Sequence, residues 1–277
     1  MSKPFASGLM WFRRDLRTQD NAALHHALRA CQRVHAVFVF DRDILDPLPR
    51  ADRRVEFIRE SLVQLDESLR SLAGDPGAGL IVMQGQSVES VARLARELGV
   101  QAVFANHDDE PASLERDARV RGALANEGVA LHTYKDHLIF ERDEIRTQAG
   151  KAYTVFTPYK KAWLARVDDF YLRSYPVDAH ARSLAPRPAA WCHPVPPLED
   201  IGFRRTNLAT LALHPGLQGG EQLVADFLPR LDRYADARDF PAVKGPSYLG
   251  VHLRFGTVSI RALARHAHAA ALQGSAG

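Results

Sequence analysis

The sequence contains little cysteine and no long apolar run. Its two cysteines, Cys31 and Cys192, cannot build a disulfide framework, which predicts a protein of the reducing cytoplasm. A run of about 18 apolar residues is absent, so the sequence predicts no membrane-spanning helix. Residues Met1 to Gly8 also lack the charged and then apolar layout of a secretory signal peptide.

Motifs of several well-known sites are missing as well. No Gly-x-Gly-x-x-Gly follows the first apolar run and no P-loop occurs, so the usual phosphate-binding fingerprints are absent. No Gly-x-Ser-x-Gly elbow is present for a serine nucleophile. The sequence predicts no metal site, because its clusters lack three ligands at zinc spacing: His25-His26, Cys192-His193, and His266 with His268. We interpret Asp108-Asp109-Glu110 as a solvated loop rather than an acid–base pair.

Five short apolar runs alternate with helical patterns in the first half of the chain. The runs are Leu9–Phe12, Val34–Phe40, Leu80–Met83, Ala102–Ala105 and Val129–Tyr134. Between them, apolar residues from Val55 to Leu72 recur every three or four positions, and a shorter helical stripe follows Asp20, its predicted N-cap. The alternation predicts an α/β fold with a doubly wound, five-stranded parallel sheet. Ligands of such sheets lie beyond the carboxyl ends of the strands.

The pattern changes after Tyr134. Proline becomes frequent and the apolar runs stop, which predicts a linker between two domains. Within this segment, Tyr153–Trp163 predicts a short strand that enters a helix. Helical spacing returns from about Asn207, for example along Gln222–Ala235, and predicts a second, helical part of the chain.

The last part of the chain has no acidic residue. From Phe240 to Gly277 there are four basic residues and no Asp or Glu, the basic ones being Lys244, Arg254, Arg261 and Arg265. An uncompensated positive region attracts the phosphates of a cofactor or of nucleic acid. A solvated basic helix face fits the composition equally well.

A helix start is predicted inside this acid-free stretch. Pro246 and Ser247 suit a helix N-terminus, and the preceding Gly245 turn offers backbone amides that predict an anion site. An ordinary corner between two helices is the alternative interpretation. Gly256 is predicted to end this helix, and Ser259 to cap a final helix that runs through Ala270.

Four motifs, in order along the chain, resemble one protein family. They are Trp11–Arg17 with Asp20-Asn21, then Tyr153–Trp163, then Arg238–Pro241 followed by Gly245-x-Ser247-x-Leu249, and finally Leu253–Arg261. Together they resemble DNA photolyases and cryptochromes, and the resemblance runs from about Leu9 to Arg265. It implies a photolyase-type α/β antenna domain over residues 1–135, an interdomain linker over 136–206, and the first part of an all-α FAD-binding domain over 207–277.

The resemblance also implies an activity. Photolyases use light and FAD to repair cyclobutane pyrimidine dimers in DNA, and the dimer is flipped out of the duplex toward the flavin. A second antenna chromophore, of the folate or deazaflavin type, is a feature of the family. The implied partner is DNA that contains pyrimidine dimers, and we expect a monomer that binds no membrane.

The resemblance also implies roles for individual residues. The resemblance assigns FAD contacts to Tyr234, Pro246, Ser247, Tyr248, Leu249 and Gly250, and a DNA phosphate contact to Arg238; it assigns no catalytic residue. The family usually has Thr or Ser at Pro246 and Ser at Gly250. Each lost hydroxyl is expected to weaken a phosphate contact by about 1 kcal/mol.

The chain also departs from the family in length. Family members close the flavin pocket with further helices that hold a tryptophan relay, whereas Trp11, Trp163 and Trp191 match no relay position. With a ragged end at Gln273–Gly277, we predict a truncated chain that is inactive alone. The alternatives are a cryptochrome blue-light photoreceptor and a non-enzymatic α/β module that binds a chromophore.

Overall fold

The protein is built around one five-stranded parallel sheet. The structure, a computed structural model, describes residues 3–272. The strands are β1 (Phe5–Phe12), β2 (Cys31–Asp41), β3 (Leu80–Gly85), β4 (Ala102–Asn106) and β5 (Ala130–Tyr134), in the spatial order β3-β2-β1-β4-β5. Each predicted apolar run therefore belongs to a strand, and the α/β prediction is confirmed.

Helices cover both faces of the sheet. They are α1 (Ala22–Ala30), α2 (Arg42–Leu45), α3 (Arg53–Ala73), α4 (Ser87–Glu97) and α5 (Pro111–Asn126). Along β1 the side chains alternate, because successive residues of a strand point to opposite faces. Met10 and Phe12 pack in the core with α1 and α3, while Leu9 and Trp11 pack in the core with α4 and α5. The sheet is thus doubly wound, as predicted.

The predicted N-cap of α1 is wrong by one residue. Asn21 is the cap, and its side chain accepts a hydrogen bond from the Leu24 amide at 3.0 Å. Asp20 has a φ of 48°, a conformation that Asp tolerates better than most residues. Its carboxylate instead bonds to Ser259 and Arg261, far along the chain. A tertiary contact therefore overrides the local capping preference.

The segment after the sheet wraps closely around the α/β part. Its helices are α6 (Phe156–Arg166) and α7 (Asp169–Leu172), followed by short 3₁₀ turns. Leu184, Ile201 and Phe203 are buried in the core that contains α3. The domain boundaries at residues 135 and 206 stay predictions.

The strand predicted at the start of Tyr153–Trp163 is wrong. Tyr153 instead packs against a separate apolar cluster around Ile139 and Phe140, away from any strand that could pair with it. The helix that follows is present as α6. Among residues 3–272, none of the helices has the length and hydrophobicity to cross a bilayer.

The last part of the described chain is helical. It contains α8 (Gly216–Phe227), a 3₁₀ turn, α9 (Tyr234–Ala237), α10 (Gly250–Phe255) and α11 (Ile260–Leu272). The predicted helix start at Pro246 is wrong, because Tyr248 has a φ of 57° and α10 begins only at Gly250. The other two predictions here are confirmed: Gly256 ends α10 with a φ of 63°, and Ser259 Oγ accepts from the Ala262 amide. The predicted ragged end, Gln273–Gly277, lies outside the described residues.

Candidate functional site

A large cavity lies between the α/β part and the helical part. Its volume is about 920 Å³, and we call it the main cavity. Residues 136–140, α6, the end of α8, α9 and α11 form its walls. The lining is mostly apolar, with Leu138, Ile139 and Leu263 as examples, and charged groups such as Arg17 and Arg238 reach it at separate points. Few polar groups in an apolar pocket of this size are typical of a cofactor site.

The structure brings four of the seven predicted site residues to this cavity. Tyr234, Arg238, Ser247 and Leu249 line it. Pro246, Tyr248 and Gly250 do not line it, and the Tyr248 side chain is half exposed to solvent. The positive φ of Tyr248 turns the chain here, so that its neighbours and not Tyr248 face the cavity. The assignment of these residues to FAD stays a prediction.

Arg230 shapes the loop that carries Ser247, a role that the sequence analysis missed. Its guanidinium Nη1 donates to the carbonyl oxygens of Lys244, Gly245 and Pro246 at 2.7, 3.0 and 2.9 Å. Its Nη2 donates to the Asp226 carboxylate at 2.6 Å. Three carbonyl groups on one guanidinium fix the loop's path. No local pattern in the sequence marks such a long-range contact.

The helix N-terminus of the predicted anion site lies at Gly250 rather than at Pro246, and the anion site itself stays a prediction. Because α10 starts at Gly250 and has only six residues, its dipole and its free amides lie beyond Pro246. The Leu249 amide is already directed to Ser247 Oγ, at 3.4 Å. The loop therefore offers side chains to the main cavity, but no helix N-terminus at Pro246.

The prediction of an uncompensated positive region is wrong. Each of its four cations lies within 4 Å of a carboxylate from earlier in the chain: Lys244 of Asp226, Arg254 of Glu110, Arg261 of Asp20 and Asp136, and Arg265 of Asp20. Composition along the chain does not reveal these pairs, because their partners are distant in sequence.

A buried ion network borders the main cavity. The Asp136 carboxylate accepts from Arg17 Nη2 at 2.7 Å, from Arg261 Nη2 at 2.8 Å and from the Ala22 amide at 3.1 Å. Arg261 Nε also donates to Asp20 at 3.0 Å. Burial alone would raise the pKa of Asp136, but the two guanidiniums hold that pKa below its usual value. Asp136 is therefore ionised at neutral pH.

A second cavity lies at the carboxyl ends of β1, β2 and β4. Its volume is about 460 Å³, and we call it the sheet-edge cavity. The guanidiniums of Arg13 and Arg116 lie 4.6 and 5.3 Å from the centre of the Trp11 ring in its wall. Both pair with Asp117, and burial together with Arg13 lowers the pKa of Arg116. Arg254 and Phe255 from α10 complete the wall on the helical side.

Asp108 and Glu110 also lie in this wall. Both carboxylates pair with Arg14 at 3.0 Å, and Glu110 also pairs with Arg254. The pKa of Asp108 is lowered: burial opposes ionisation, but Arg14 and a hydrogen bond from Ser113 outweigh it. The interpretation of Asp108-Asp109-Glu110 as a solvated loop is wrong for Asp108, which is buried and paired with Arg14.

Comparisons with known proteins agree on one family. The family model described as DNA photolyase matches residues 8–181. The deoxyribodipyrimidine photo-lyase of Halobacterium salinarum is 34% identical over 273 residues, which are 95% of this chain and 54% of that protein. Cryptochrome-1 of Arabidopsis thaliana is 31% identical over 265 residues, covering 91% of this chain and 36% of that protein.

Solved structures give the same result. A bacterial class III photolyase from Agrobacterium tumefaciens superimposes with a TM-score of 0.81 and 25% sequence identity, covering 98% of this chain and 55% of that one. The chain spans about half the length of the photolyases that it matches. The sheet order, the shared motifs and the family match lead to one conclusion: the chain belongs to the DNA photolyase family.

Proposed function

We propose that this chain supplies the first half of the flavin site of a photolyase that repairs cyclobutane pyrimidine dimers in DNA. The observation that carries the proposal is the convergence of Tyr234, Ser247 and Leu249 on the main cavity. When bound there, FAD supplies light absorption and the electron that splits the dimer. The 920 Å³ volume lies within the range of cofactor pockets.

The chain's own residues bind and orient the cofactor in this proposal. Tyr234 offers an aromatic edge and a hydroxyl, Ser247 offers a hydroxyl, and Leu249 offers an apolar contact. Arg230 holds the 244–246 loop in place, so that these groups need not be ordered when the ligand enters. Tyr248, with a φ of 57°, turns the chain after this loop, and Gly250 begins α10.

Flavin binding tests the proposal directly. The purified chain is titrated with FAD and binding is followed by the quenching of flavin fluorescence. We expect Tyr234→Leu to weaken FAD binding by at least about tenfold, because the loss of one good polar or aromatic contact lowers affinity by about that factor. Phe5→Leu is the control, because Phe5 is also a half-buried aromatic residue but packs against Phe104 and His132, away from the main cavity. Equal losses in both variants, or no FAD binding by the unmodified chain, would contradict the assignment.

Arg238 is proposed to contact a DNA phosphate at the edge of the main cavity. Its side chain is half exposed and pairs loosely with Asp239 at 3.7 Å. Arg93 is a close control, since it is equally exposed and lies 3.8 Å from Glu97, but far from the cavity on α4. Arg238→Gln should weaken binding to dimer-containing DNA and lower the salt slope by about 1, whereas Arg93→Gln should leave both unchanged.

The sheet-edge cavity is our proposed site for a second chromophore of the folate or deazaflavin type. The Arg13 and Arg116 guanidiniums, which lie over the buried Trp11 ring, offer a planar stacking surface and positive charge to such a molecule. Chromophore uptake without light-driven repair would favour the third interpretation, a non-enzymatic chromophore-binding module. Arg116→Gln should weaken uptake, and uptake unaffected by this variant would contradict the proposed site.

A cryptochrome photoreceptor is the second candidate, favoured by the similarity to Cryptochrome-1. Blue-light repair of a dimer-containing oligonucleotide separates the two candidates. We expect the 277 residues alone to show no repair, because the matched photolyases have about as much chain again.

We further propose a cytoplasmic monomer, in keeping with two cysteines that are both free.

A further inference from the structure

We propose that the buried ion network around Asp136 is a positioning device for the main cavity, and that Asp136 is its central positioning residue. This inference rests on the proposed flavin site. The network joins three segments that are far apart in the chain: the β1–α1 loop with Arg17 and Asp20, the segment after β5 with Asp136, and α11 with Arg261. All four side chains are buried.

The three segments are also walls of the main cavity. Arg17 and Asp136 line it directly, and α11 lines it with apolar residues such as Ile260 and Leu263. The distance between these walls is therefore set by the bonds of the Asp136 carboxylate. A change in those bonds shifts the cavity walls relative to one another.

Polar groups help to hold helix α11 in place, beside the partly buried Ile260 and Ala264 that pack against the Ile139 cluster. Arg261 is the one buried residue of this described helix, and its other side chains are at most partly covered. Ser259, its N-cap, bonds to the Asp20 carboxylate, and Arg265 donates to the carbonyl oxygen of Leu172. An ordinary amphipathic helix is fixed mainly by an apolar stripe. For α11, orientation also depends on the guanidinium of Arg261.

Buried ion pairs of this kind contribute more to specificity than to net stability. The cost of removing the charges from water offsets most of their attraction, whereas their geometry allows one arrangement only. A network that orders the cavity before the ligand enters reduces the entropy lost on binding. Its effect should therefore appear in ligand affinity and in the local order of α11.

The test compares two buried carboxylates that each bind two arginines. Asp136→Asn removes the charge of the central residue but keeps its size. Asp66→Asn is the control, because Asp66 is buried, pairs with Arg70 at 2.5 Å and with Arg187 at 3.5 Å, and lies on α3 away from the main cavity. Three quantities are measured for each variant: amide hydrogen exchange along the chain, FAD affinity, and the visible circular dichroism of bound flavin.

We expect Asp136→Asn to speed exchange of the α11 amides by at least tenfold relative to the strands, to weaken FAD binding by at least tenfold, and to alter the dichroism per bound flavin. Asp66→Asn should leave all three within twofold. Unchanged α11 exchange in Asp136→Asn, or equal effects of both variants, would overturn the proposal. If the unmodified chain binds no FAD, the proposed function fails, while the α11 exchange still decides whether the network positions the helix.

Discussion

His252 should make the stability of the protein depend on pH between 5 and 7. The side chain is fully buried beside Phe57, and its Nδ1 lies 2.8 Å from Thr257 Oγ1. Its Nε2 has no hydrogen-bond partner in the described structure. Burial lowers the pKa of His252 from 6.5 to about 4, because a proton on Nε2 would place an unpaired charge in the core.

The direction and the size of the pH dependence of stability follow from the lowered pKa of His252. The folded state keeps His252 neutral down to about pH 4, while the unfolded chain takes up a proton below pH 6.5. The stabilisation is therefore complete above pH 6.5 and is lost progressively as the pH falls toward 4. Between pH 7 and pH 5 the loss from this one group is about 2 kcal/mol.

Urea unfolding at pH 7 and pH 5, in the unmodified chain and in His252→Gln, measures this contribution. The variant is expected to start from lower stability, so the comparison is the change between the two pH values. That change should be smaller in His252→Gln by about 2 kcal/mol. His193→Gln, at an exposed position, should behave like the unmodified chain. A difference between His252→Gln and the unmodified chain below about 0.5 kcal/mol would refute the reasoning.

Two glycines offer further tests by thermal unfolding. A Cβ at Gly8 would lie 2.5 Å from Cys31 Sγ, so Gly8→Ala should lower the free energy of unfolding by about 1–3 kcal/mol. The loss should be smaller when Cys31 is also replaced by alanine. Equal losses with and without Cys31→Ala would contradict this contact. A Cβ at Gly256 would collide with the Arg14 carbonyl oxygen at a φ of 63°, so Gly256→Ala should destabilise the protein by at least about 2 kcal/mol. A loss below about 0.5 kcal/mol would show that α10 can shift away from the β1–α1 loop.

Local patterns predicted most of the sheet and its helices. The run Val34–Phe40 lies inside β2, because a strand buried on both faces is continuously apolar. The stripe from Val55 to Leu72 lies inside α3, because burial of one helix face imposes a period that the sequence shows directly. The helix end at Gly256 and the N-cap at Ser259 are also predictable from the sequence, since helix ends depend on a few adjacent residues. These features need no knowledge of the rest of the chain.

The errors concern residues whose partners are distant. Asp20 was expected to cap α1, but its carboxylate bonds to Arg261, 241 positions away. Arg230 was not singled out at all, although it fixes the loop beside the main cavity. Of the predicted site residues, Tyr234 and Ser247 reach the cavity, but only the tertiary structure shows that Tyr248 does not. Contacts of this kind carry no periodic pattern in the sequence.

The ion pairs that the cations of the acid-free stretch form with earlier carboxylates have a consequence for the order of folding. Its cations bind to Asp20, Glu110, Asp136 and Asp226, all of which leave the ribosome before them. The β-sheet can close its apolar core early, since domains fold from the N-terminus during synthesis. Asp136 has Arg17 as an early partner, but the Asp20 carboxylate has no charge partner until Arg261 emerges, and an unpaired carboxylate resists removal from water. The edge of the nascent sheet around Asp20 and Asp136 therefore stays hydrated until α11 is synthesised and packs against it.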